Sequence, residues 1–258
     1  MFQGGGIVAD KSVEFKCLQK VISGLKPKGD TAKTIYTILN NATLISDEKQ
    51  ECPDFIFQQQ DTVIGLEHFL VDVLINKDGS NARRVSKYRQ QILHSLGCKP
   101  SQKTLKQINE YPIVHKQLEK GIFDEHFFLK EFQRIARKHS NSCNGYLGAL
   151  HQYPAKKYLM GVIIEMPCQT NGRFILYDSS GKQKERILNC VPLTQNLLSM
   201  MRRILKDFDF VIILTETLLN ELPQDSKVYC FWQNNYEVAI KEQRIPLCTS
   251  FSIRTEDV

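Results

Sequence analysis

Two β-prone runs held four polar residues apart constrain this chain most strongly. Pro53-Asp54-Phe55-Ile56-Phe57 and Thr62 to Val71 are rich in aromatic and β-branched side chains, and Gln58-Gln59-Gln60-Asp61 between them reads as a hairpin turn. One acid, Asp54, opens the first run, and a second, Glu67, sits inside Val63-Ile64-Gly65-Leu66-Glu67-His68-Phe69. Antiparallel pairing can bring those two side by side across the sheet. A charge within an apolar strand is costly without a partner, and two carboxylates that meet repel unless a cation lies between them. Oxygen ligands of this kind suit a hard divalent ion, with Mg2+ the default and Mn2+ the alternative. Such an ion keeps several waters, activates one of them and stabilises phosphoryl charge.

The remaining pattern places this hairpin in a mixed α/β (α+β) protein with a central mixed sheet flanked by helices. Val13, Phe15, Leu18, Val21, Ile22 and Leu25 recur at helical spacing, and a second helix starts after the cap signal Asp30-Thr31. Helices are expected from about Arg83 to Leu96, from Asp124 to Lys138 and from Thr194 to Leu205. Strands are expected at Leu159 to Glu165, Phe174 to Tyr177, Phe208 to Leu214, Val228 to Trp232 and Tyr236 to Ile240. Nothing marks a sharp boundary, so residues 1–258 read as one unit with 83–140 a basic, mainly helical insertion. Hydrophobic residues make up 42% and charged residues 24%, which excludes a disordered or collagen-like chain. Apolar runs such as Tyr158 to Ile164 are far shorter than the roughly 20 residues of a membrane span. The N-terminus lacks the pattern of a secretory signal, so a cytoplasmic protein is expected. Its eight cysteines lie at least eighteen positions apart and its six histidines are equally dispersed, so they read as reduced, mostly buried side chains rather than zinc ligands.

The formal net charge of +6 hides an asymmetry. Residues 41–80 carry two basic and eight acidic side chains, net −6, whereas 81–140 carry thirteen and five, net +8. Arg83, Arg84, Lys87 and Arg89, followed by Lys130, Arg134, Arg137 and Lys138, can lay positive charge along phosphates, with Arg134, Arg137 and Lys138 on one helix face. The same residues are equally explained as the solvated faces of amphipathic helices.

In the Pro53-Asp54 pair and in Glu67 on the next strand, the chain resembles the PD-(D/E)xK nuclease superfamily, with its restriction-endonuclease-like core, over about residues 51 to 72. The resemblance implies a metal-dependent endonuclease, a hydrolase of DNA phosphodiester bonds, of restriction or defence type. Asp54 and Glu67 would bind Mg2+ and Glu51 would add a carboxylate. Glu14, on the first helix, matches a further acid that some related nucleases use. The lysine expected two positions after Glu67 is replaced by Phe69. Lys87, and less directly Arg84, stands on the following helix, where some members of the superfamily supply this group. The alternative is a catalytically inactive nuclease-like module that binds nucleic acid or a protein partner, and assembly with further copies stays open.

Other patterns carry less. Gly4-Gly5-Gly6 lacks the preceding strand and following lysine of a phosphate loop. Cys143-Asn144-Gly145, with His139 or His151, reads as a loop rather than a thiol nucleophile. His68 falls on the strand face opposite Glu67, and Glu165, a second acid at a strand end before Pro167, reads as a surface charge, with a rival metal ligand as the alternative.

Overall fold

A computed structural model describes residues 11–25, 29–46, 52–71, 73, 91–97, 107–108, 111, 125–168, 173–188, 192–217 and 227–254. Helices α1 (Lys11–Gly24) and α2 (Gly29–Asn41) precede strands β1 (Thr43–Leu44), β2 (Phe55–Gln59) and β3 (Thr62–Leu70). Helix α3 (Glu125–Leu150) leads into β4 (Lys157–Cys168), β5 (Arg173–Tyr177), β6 (Gln183–Leu188) and β7 (Leu193–Thr194). Then come α4 (Gln195–Ile204), β8 (Phe210–Thr217), β9 (Lys227–Trp232), α5 (Tyr236–Gln243), β10 (Leu247–Cys248) and β11 (Ser250–Arg254).

The main sheet has six strands in the order β1-β2-β3-β4-β8-β9. Strands β3, β4 and β8 run parallel, with antiparallel β2 and β9 outside them. Parallel central strands need both faces covered, and the side chains divide accordingly. Ile64 and Leu66 of β3 pack with Ile163 of β4 against Val21 of α1 and Ile35 of α2. Val63 and Phe69 pack with Val162 and Ile164 against Phe132 and Leu150 of α3 and Met201 of α4. Close strand packing explains Gly161, where a Cβ would run into the ring of Phe210. Smaller sheets, β11-β5-β6 and β10-β7, lie beside this core. The Gln243 side chain bonds the backbone of Cys230 at 2.9 and 2.5 Å, which satisfies polar groups on β9 as a further strand would.

Three local readings of the sequence change. Helix α3 runs on through Cys143-Asn144-Gly145 to Leu150, because Cys143, Tyr146 and Leu150 continue its buried face. Gly145 and Gly148 on its outer side meet nothing, and packing outweighs their cost of about 1 kcal/mol each. Tyr236 to Ile240, expected as a strand, lies in α5, where Tyr236 and Ala239 are buried three positions apart and Arg244 ends the helix in a left-handed conformation. Glu165 is not at a strand end: β4 continues to Cys168 between β3 and β8, leaving this acid 8% exposed. The hairpin forms as β2 and β3, and no described helix is long and apolar enough to cross a membrane. Within 83–140 the described residues are helical at 91–96, at 107–108 and from 125 onward.

Candidate functional site

The hairpin register pairs Phe55 with Leu66, so one step further sets Asp54 opposite Glu67. Where β2 ends, the amide N–H of His68 no longer meets a strand carbonyl and donates instead to Asp54 Oδ2 at 2.7 Å. Burial, then the charge of Glu67, push the Asp54 carboxyl from 3.8 up to about 7, with Glu14 adding to the rise. The His68 N–H bond and the His68 ring oppose the shift without cancelling it. Asp54 and Glu67 thus form one electrostatic unit, with the α1 acid Glu14 close enough to be felt.

Successive residues of a strand point to opposite faces, and at positions 67 and 68 this builds two different environments. Glu67, 4% exposed, faces α3. Its Oε1 accepts from the Tyr146 hydroxyl at 3.0 Å and from Nδ1 of His139 at 2.9 Å. These two residues sit seven apart on one face of α3. Burial and the neighbouring Glu67 carboxylate push the Tyr146 hydroxyl well up, so it stays a donor. Among the described residues Glu67 Oε2 is buried without a hydrogen-bond partner, an arrangement that costs at least about 1–3 kcal/mol. Phe69, in the position where a lysine was sought, stacks on the His139 ring with centroids 4.9 Å apart and planes 18° apart.

His68 faces α1. Its Nε2 lies 2.9 Å from Glu165 Oε2 on the neighbouring strand, and both side chains are about nine-tenths buried. Burial alone would lower the imidazole, but the Glu165 bond and charge, with Asp54 and Glu14 nearby, hold it above its usual value. Cys17 of α1 completes the group: its Sγ, a His68 ring nitrogen and a Glu165 carboxylate oxygen all lie within 4.8 Å of one another. Glu14, one turn before Cys17, buries Oε2 without a hydrogen-bond partner among the described residues.

Of the residues sought from sequence, Asp54 and Glu67 come together, while Glu51, Arg83, Arg84, Lys87 and Arg89 lie outside the described residues. Arg134, Arg137 and Lys138 are exposed on α3, and Arg134 makes two bonds to Glu131, at 2.8 and 2.6 Å. Cys143 is no nucleophile: it is buried in α3, its thiol donates to the Asp207 carbonyl, and burial pushes it up to about 11. His139, Tyr146, Cys17 and the partnership of Glu165 with His68 were missed. His68 and Glu165 are 97 positions apart, and only the parallel pairing of β3 with β4 brings them together. No protein-family model, curated protein or solved structure matches this chain.

Proposed function

We propose that this protein is a cytoplasmic, metal-dependent nuclease of the PD-(D/E)xK kind, hydrolysing phosphodiester bonds in DNA, with a restriction or defence role. The carrying observation is the Asp54–Glu67 pair, in which one carboxyl is forced up to about 7 and the other buries an oxygen that no donor among the described residues serves. So much anionic oxygen in a small volume suits a hard divalent cation, Mg2+ or Mn2+, held by Asp54 and Glu67 with Glu51 as a further acid. Such an ion, when bound, activates water and stabilises charge on the phosphoryl group.

The chain's own residues set up this centre. The His68 N–H orients Asp54, while Tyr146 and His139 hold Glu67 through Oε1 and leave Oε2 to bind. Arg134, Arg137 and Lys138, with Arg83, Arg84 and Arg89, provide the phosphate contacts, and Lys87 supplies the ammonium that position 69 lacks. What supports a restriction-endonuclease-like core is the six-stranded mixed sheet flanked by helices.

Incubation of the pure protein with DNA, or with RNA, in Mg2+ or Mn2+ tests the reading. Cleavage should be lost in Asp54→Ala and Glu67→Gln, and equal cleavage by the variants would defeat it. Phe69 favours a second reading, a catalytically silent module that binds nucleic acid or a protein partner. Steeply salt-dependent binding without cleavage in any divalent ion would select it.

A further inference from the structure

The cluster on the α1 face has donor chemistry unlike that of the Asp54–Glu67 pair. Thiolate and imidazole ligands favour borderline ions such as Zn2+ over Mg2+, which prefers oxygen alone. We propose that Cys17, His68 and Glu165, with Glu14 as the fourth donor, form a tetrahedral site for a borderline divalent ion of the Zn2+ class, on the sheet face opposite Glu67.

Two observations carry this independently. The three donor atoms already lie within 4.8 Å of one another, a spacing that small side-chain adjustments convert to a shared coordination sphere. Separately, the buried Oε2 of Glu14 has no hydrogen-bond partner among the described residues and belongs to the residue three before Cys17, on the same face of α1. A His68–Glu165 ion pair alone would explain those two side chains, but it leaves that second buried carboxylate oxygen unserved. A divalent ion held by Cys17, His68 and Glu165 would draw in Glu14, whose oxygen lies outside their 4.8 Å group, and so serve both carboxylates. Its ligands come from α1, β3 and β4, so binding would staple the first helix to two central strands. With Glu14 drawn in as the fourth donor, every position would be filled by protein, which makes the proposed site structural rather than catalytic.

The site is read without any nuclease assay, so its failure is distinct from that of the proposed function. The protein, stripped with a chelator, is titrated with Co2+ as a spectroscopic probe and then with Zn2+. A thiolate-to-cobalt charge-transfer band, with the intense visible bands of tetrahedral Co2+ and displacement of both by Zn2+, is expected. Cys17→Ser should abolish the thiolate band, and His68→Asn or Glu165→Gln should weaken binding at least about tenfold. Cys52→Ser, which alters an exposed cysteine, should retain the band. Zn2+ should also raise the thermal midpoint of the wild type but not that of Cys17→Ser. No thiolate band in the folded wild type at saturating Co2+ overturns the proposal without recourse to any variant. So does a band that survives Cys17→Ser.

Discussion

Replacing Asp54 by Asn should stabilise the metal-free protein at pH 8. In the folded state the carboxyl titrates near 7 rather than 3.8, because burial and then Glu67 disfavour its charge. Between those values the native protein retains a proton that the unfolded chain gives up, so stability falls as pH rises through this window. Below pH 3.8 both states are protonated and the effect vanishes; above about 7 it is complete. The full difference corresponds to about 4 kcal/mol. Asp54 retains partial exposure and shares its field with neighbouring charges, so about half, ~2 kcal/mol, is the expected size. Asn keeps an acceptor for the His68 N–H. Thermal unfolding in chelator should therefore place Asp54→Asn roughly 4–8 °C above the wild type at pH 8, with the two converging near pH 4. Mg2+ at about a hundred times its dissociation constant should add about 2.7 kcal/mol to the wild type, and much less to the variant. Equal midpoints at pH 8, or a gap as large at pH 4, would refute the reasoning.

Tyr146→Phe removes one of two donors to Glu67 Oε1 and should lower stability by about 1–3 kcal/mol in urea unfolding; an unchanged midpoint would contradict the contact. Gly161→Ala drives a methyl into Phe210 and should cost about 1–3 kcal/mol, whereas Gly148→Ala on the open side of α3 should not destabilise. Exchanging Arg134, Arg137 and Lys138 for Ala should leave the fold intact and flatten the salt dependence of duplex binding by about 0.9 per lost phosphate contact. An unchanged slope would mark these side chains as plain solvated surface.

Much of the fold was legible along the chain because strand and helix periodicities are local. The β2–β3 hairpin, the two opening helices, α4 and the strands β4, β8 and β9 all follow from runs of apolar residues within short windows. The errors arose where packing overrode local preference. Cys143-Asn144-Gly145 suggested a loop, yet three buried side chains beyond position 142 kept α3 on the sheet. Tyr236 to Ile240 alternates like a strand, but burial of Tyr236 and Ala239 selects the helical period.

The sequence by itself determined that an acid opens one strand of a hairpin and another occupies its partner, since register follows from turn length and a two-residue period. It also determined that Glu67 and His68 point to opposite faces. What stands on those faces was decided by tertiary structure alone. His139 and Tyr146 reach Glu67 because α3 crosses one face, and Cys17 and Glu165 reach His68 because α1 covers the other while β4 pairs in parallel with β3. Cysteines and histidines dispersed along the sequence concealed that cluster, because proximity between residues dozens of positions apart is set by strand order and helix packing, which no local spacing encodes.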